Sequence, residues 1–108
     1  MTMLTLDRMM RPKRSRTTYD MTIFQTPSYG EDKGYRNVYR LSIEAEDHAD
    51  ALYRTFRMFN VADLMPKDFN GRYLTSKDIV FIDEGRKGHF YYRLQSDGWA
   101  QVNRVILQ

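Results

Sequence analysis

A chain of 108 residues, 42% apolar with six Phe, eight Tyr and one Trp, is long enough for one modest core and too apolar to stay disordered. No apolar run approaches the ~20 residues of a membrane-spanning helix, and the absence of cysteine removes disulfides, thiolate metal sites and a cysteine nucleophile. The net charge of +3 excludes an acidic mimic of DNA, which needs a large negative balance.

Residues 1–17 read as a basic flexible arm, separate from a single domain over residues 18–108. Arg8, Arg11, Lys13, Arg14 and Arg16 face only Asp7 there, whereas the remaining twelve basic and thirteen acidic residues nearly cancel. The start shows no long apolar stretch and no small-residue cleavage pattern, so no secretory signal is expected. A cysteine-free chain of this kind fits a reducing cytoplasm. "TYDMTIFQT" (18–26) alternates Tyr19, Met21 and Ile23, as a half-buried strand does. The Pro/Gly-bounded "PSYGEDKG" is a loop, and "YRNVYRLSIEA" (35–45) is a second strand with Tyr39, Leu41 and Ile43 on one face.

From Asp47 the period changes. Ala49, Leu52, Tyr53, Phe56 and Phe59 follow helical spacing, with Asp47 as N-cap and Asn60 as a left-handed stop, which predicts a helix over 47–59. Pro66 keeps 61–69 irregular. An Asn70-Gly71 turn re-aims the chain, and "TSKD" caps a single helical turn through Thr75 or Ser76. "DIVFID" (78–83) has the continuous apolar run of a strand buried on both faces. "HFYYRLQ" (89–95) and "WAQVNRVIL" complete a meander, the last strand running to the C-terminus. The expected class is α+β: a small antiparallel sheet of about five strands with one main helix packed on a face. The strand order is not legible.

Chemistry-bearing clusters are sparse. His48 and His89 stand alone at the starts of a helix and a strand, without neighbours at metal-ligand spacing. Asp63, Asp68, Asp78, Asp83, Glu84 and Asp97 mostly occupy turn positions, where a carboxylate accepts backbone N–H bonds. No Gly-x-Ser-x-Gly elbow occurs, and Gly30, Gly34, Gly85 and Gly88 read as link glycines rather than a phosphate loop. The expectation is a protein without catalytic residues, cofactor or metal.

Binding offers two candidate surfaces. Arg8, Arg11, Lys13, Arg14 and Arg16 can neutralise phosphates in a salt-sensitive way. On the meander, His89, Tyr91 and Arg93 share the face opposite Phe90 and Tyr92. Arg104 on the next strand joins them, an aromatic-basic arrangement suited to stacking unpaired bases or to ordinary cross-strand packing. Arg54, Arg57 and Lys67 read as solvated surface.

The segment "DFNGRYLTSKDIVFIDEGRKGHFYYRLQSDGW" (68–99) resembles the second half of YodL-like domains. The pattern is carried by Asp68, Phe69, Gly71, Leu74, Thr75, Asp78, Tyr91, Tyr92, Gly98 and Trp99. The upstream strands and helix are similar in layout, so the resemblance spans about 19–104 and leaves the basic arm outside. It departs at "RLQSDGWAQVNRVI", which stands where the family has an acidic, often Pro-containing end. The resemblance implies a mobile-element or phage-related setting in Gram-positive bacteria and no established enzymatic activity. It therefore carries over no catalytic residue. The sharpest functional expectation is an anti-CRISPR protein that binds the host effector nuclease or its guide RNA complex. The alternative is a nucleic-acid-binding accessory or regulatory protein of the element. In this reading the 68–82 motif marks the fold, and activity resides on other surfaces.

Overall fold

The computed structural model describes residues 16–107. Five strands form one antiparallel sheet: β1 (Thr17–Gln25), β2 (Arg36–Ala45), β3 (Ile79–Asp83), β4 (His89–Gln95) and β5 (Gly98–Val102). The strand order is β2-β1-β3-β4-β5, so β1 and β3 are both flanked and the edges are β2 and β5. The one α-helix among the described residues, α1 (His48–Met58), lies between β2 and β3 in the chain and crosses over β1. The α+β expectation holds.

Alternation sets the two faces of the sheet. Register places Tyr19, Met21 and Ile23 of β1 beside Ile43, Leu41 and Tyr39 of β2, with Val80 and Ile82 of β3 on the other side. This inner face continues through Phe90, Tyr92 and Leu94 to Trp99. Met21, Ile23, Val80 and Ile82 are fully buried under α1 and the 59–74 segment. Ile79 belongs to the outer face and is also fully buried, so β3 is covered on both sides at its start, as its apolar run predicts.

Asp47 caps α1, its side chain accepting from Asp50 N at 2.8 Å. Asn60 is not the left-handed stop that the sequence suggests. The helix ends at Phe59 (φ −94°), and bonds from Phe59 N to Thr55 O and from Asn60 N to Arg57 O close it. The buried stripe is Ala51, Leu52, Thr55 and Phe59, whereas Tyr53 and Phe56 are 60% and 37% exposed. Thr55 can be buried because its hydroxyl donates to Ala51 O at 2.8 Å, and the same oxygen lies 3.6 Å from Met21 Sδ.

Two other local expectations change. The hydrogen-bonded turn of this stretch lies at Pro66–Phe69, where Phe69 N donates to Pro66 O, and the chain bends again at Gly71. Residues 75–78 form a tight turn in place of a helical one, and its cap is the Asp78 carboxylate accepting from Thr75 N at 2.9 Å. β5 also stops at Val102, opposite Tyr91, and a 3-10 turn (Arg104–Leu107) follows. Asn103, a poor strand former, breaks the pairing.

Lys77, inside that tight turn, is the one non-glycine residue with positive φ (+80°) among the described residues. Its N–H donates to Leu94 O at 2.7 Å and its carbonyl accepts from the Tyr35 hydroxyl at 2.7 Å, so the conformation is held from both sides. Lys77→Gly is expected to raise the unfolding free energy by about 0.5–1 kcal/mol in urea titrations, because the left-handed penalty exceeds one exposed Nζ bond to Gly30 O.

Candidate functional site

Beyond the half of the sheet that α1 covers, the inner face stays open. Ala49, Tyr53 and Phe56 of α1 stand on one side, with Leu74 and the Thr75-Ser76 turn behind them. Leu94, Trp99 and the β4–β5 turn form the other side of a groove of about 490 Å³. Leu94 is buried, Trp99 is half-buried, and Tyr53 and Phe56 project into solvent. Gly98 adopts φ +126°, which an L side chain rarely takes, so a glycine is required at the turn that presents Trp99. Leu74, Thr75, Gly98 and Trp99, four of the residues that carry the family pattern, line this groove.

The sequence hides the groove because α1 carries two apolar stripes, not one. Positions 49, 53 and 56 repeat at i, i+4 and i+7 and form a row separate from 51, 52, 55 and 59. Reading Tyr53 and Phe56 as core merges the two rows.

Behind the groove a buried polar network fixes the Leu74–Thr75 wall. Asp78 is 1% exposed and accepts from Thr75 N (2.9 Å), Gln25 Nε2 (3.0 Å) and Arg72 Nη2 (3.3 Å). Burial pushes its carboxyl above the usual carboxylate range, and these three donors pull it back only in part. Arg72 also reaches Thr26 O at 2.8 Å, and Gln25 Nε2 donates to Arg72 O at 2.9 Å. The Asp-Phe-x-Gly portion is anchored separately: Asp68 accepts from the Tyr39 hydroxyl, and Phe69 packs edge-on against Phe59 and Tyr39.

The isolated histidine of the sequence is embedded in contacts. His48 Nδ1 is 2.7 Å from the Tyr92 hydroxyl and Nε2 is 2.9 Å from Glu84 Oε1, with Tyr19, Phe90 and Tyr92 edge-on around the ring. An ionised Glu84 only accepts, so Nε2 carries the proton, and in the neutral ring Nδ1 accepts from Tyr92. Burial raises the Tyr92 hydroxyl above its ordinary value, and Glu84 adds to the effect. The arrangement ties the start of α1 to β4 and to the β3–β4 link. Separations of 36 and 44 residues make it illegible from local spacing.

The sequence-derived surface candidates fall in three places. Arg8, Arg11, Lys13 and Arg14 lie outside the described residues, and Arg16 is exposed immediately before β1. Tyr91 and Arg93 do share the outer face with His89. There Tyr91 stacks on Phe81 at 4.6 Å and 18°, and His89 lies edge-on to Phe81. Arg104 does not join them on a strand; it is exposed in the 3-10 turn beyond the last pair, Tyr91 with Val102. That face also carries Asp20, paired with Arg40 at 2.6 Å, and Asp83, beside His89 at 3.3 Å. Its charge is mixed rather than basic.

Comparison with known proteins adds relatives but no activity. Residues 7–104 match the model of the YodL-like domain, which takes in the basic residues from Arg8 onward that the resemblance had left outside. The chain is 50% identical over 96 residues to a Bacillus subtilis (strain 168) protein described as "Uncharacterized protein YodL", covering 89% of this chain and 92% of that one. No solved structure matches. The chain belongs to the YodL-like domain family.

Proposed function

We propose that this protein is a non-catalytic binding protein that captures a partner protein through the groove between α1 and the β4–β5 hairpin. The observation that carries the reading is the pair Tyr53 and Phe56, 60% and 37% exposed, facing Trp99 and Leu94 across an open apolar groove. Aromatic side chains held on regular elements and left in water are the usual anchors of protein interfaces. Uncharged walls suit large apolar side chains of a partner better than phosphates. The narrower form of the proposal, drawn from the family's setting, is that the partner is a host defence nuclease of the RNA-guided type.

Phe56→Lys is expected to weaken partner binding at least about tenfold while thermal unfolding stays within a few degrees, because the ring is already partly in solvent. The experiment places a photo-crosslinking residue at position 56 and, as control, at position 91. Captured proteins are purified and their affinity remeasured by calorimetry with wild type and Phe56→Lys; a purified effector–guide complex is the first partner to try. Failure with the effector removes the narrower form alone. Binding that ignores Phe56→Lys overturns the groove. Salt-sensitive binding to bare RNA or DNA that Arg93→Ala weakens replaces the proposal with the outer face.

A further inference from the structure

The two edges of the sheet are built differently. β2 carries Arg36, Arg40 and Glu44, exposed charges of the kind that blunt an edge against pairing. β5, "GWAQV", has no charge and no proline, and its far edge pairs with no strand. Its alternate N–H and C=O groups are therefore an unprotected template for another strand.

What fits the template follows from the residues in and around it. β5 has five residues with Ala100 at the centre, so two copies running antiparallel can pair along the whole strand. Gly98 then meets Val102, Trp99 meets Gln101, and Ala100 meets its own image. A register centred on one residue keeps like faces together, so both copies turn α1 and the groove to the same side. Trp99 is half-buried in one copy and lies diagonal to Trp99 of the other, within reach of so large a ring. Just past the strand, the same register sets Asp97 opposite Asn103 of the second copy and one residue from its Arg104. Asp97 and Arg104 are both exposed, and neither has an ion-pair partner among the described residues. The two-fold axis makes this contact of opposite charges twice. A foreign strand would gain the backbone bonds without the charge match at both ends.

We propose that β5 pairs with β5 of a second copy of this chain, joining the two five-stranded sheets about a two-fold axis through Ala100. The interface is small, at the low end for specific association, so the dissociation constant falls at about 10–100 µM. The dimer presents two grooves on one side, and a partner with two matching segments is held more tightly than by one groove. The pairing stands on the strand edge alone and does not require the groove reading.

Sedimentation velocity of the full chain from about 2 to about 500 µM follows the association, and wild type is expected to pass from monomer to dimer across that range. Ala100→Glu sets two carboxylates against each other at the axis while suiting Arg93, its neighbour on β4. It should weaken association at least about tenfold. Asp97→Arg and Arg104→Asp should each weaken it about two- to fivefold. An equal mixture of those two chains should associate better than either alone, because each like pair becomes an opposite pair. This exchange tests the same register without touching the strand, and melting temperatures of all variants are compared first. A chain that stays monomeric throughout overturns the proposal. So does a dimer that ignores both Ala100→Glu and the charge exchange. A dimer lost on Phe56→Lys instead puts the second copy in the groove and overturns the strand pairing.

Discussion

Asp78→Ala is expected to lower the unfolding free energy by about 3 kcal/mol, among the largest effects of any polar substitution in the chain. The carboxylate is 1% exposed and is the shared acceptor for Thr75 N, Gln25 Nε2 and Arg72 Nη2. Truncation takes one acceptor from all three donors at once, leaving Gln25 Nε2 only Arg72 O and Arg72 Nη2 only Thr26 Oγ1, and leaves the guanidinium, itself 30% exposed, without its counter-charge. Urea titration at neutral pH measures the loss, and a change below about 1 kcal/mol would show that water or neighbouring groups replace the carboxylate.

The same group gives a pH dependence of unusual sign. Burial holds the folded-state pKa above the unfolded value of 3.8, so between the two values the folded chain binds more protons than the unfolded chain. The contribution of Asp78 is therefore complete below 3.8 and declines as pH rises through the raised value. Asp20 runs the other way. The hydrogen bond from Arg40 lowers its pKa, so its stabilisation is present above 3.8 and is lost as pH falls through the lowered value. Asp78→Asn keeps an acceptor and cannot ionise, so it should cost about 1 kcal/mol, and less as pH rises from about 3 to about 7. A cost that grows over that range would mean that the hydrogen bonds, not burial, dominate the carboxylate.

The sequence yields the elements and misses how they are partnered. Alternation at Tyr19, Met21 and Ile23, and again at Tyr39, Leu41 and Ile43, reports a face against a core wherever the strand sits, so β1 and β2 were legible. The placement of β1 between β2 and β3 was not, because pairing of Thr22 with Phe81 is a contact across 59 residues with no local trace. For α1 the wheel alone puts Tyr53 and Phe56 on the apolar side. What decides the matter is that Thr55 satisfies its hydroxyl inside the helix and takes the core position. The groove is thus a consequence of a buried polar residue that composition counts as surface. The sequence makes the 68–82 motif a marker of fold. Asp68, Phe69 and Asp78 do hold structure, and Leu74 and Thr75 of the same motif also line the groove.

Gly71→Ala is expected to cost about 2–3 kcal/mol, although Gly71 is not among the positive-φ glycines and its backbone suits alanine. The obstacle is crowding. A Cβ there would sit 2.5 Å from Gln25 Oε1 and 2.6 and 2.8 Å from two Phe69 ring carbons. Neither neighbour can give way cheaply. Gln25 is 2% exposed, donates to Arg72 O and Asp78, and accepts from Arg72 N at 3.2 Å. Phe69 is locked edge-on between Phe59 at 4.8 Å and Tyr39 at 5.7 Å. Relief must therefore break the hydrogen bonds that hold Asp78 or shift an aromatic cluster at the base of the core. A double-mutant cycle separates the two routes: in a Gln25→Ala background one obstruction is gone, so Gly71→Ala should cost less there than in wild type. Equal costs in both backgrounds would assign the whole effect to Phe69, and a wild-type cost under about 0.5 kcal/mol would show that the segment relaxes freely. Because Gly71 and Arg72 sit on the rim of a second depression while Phe56 and Trp99 lie beyond Leu74, Gly71→Ala should lower stability without removing the apolar anchor of the groove.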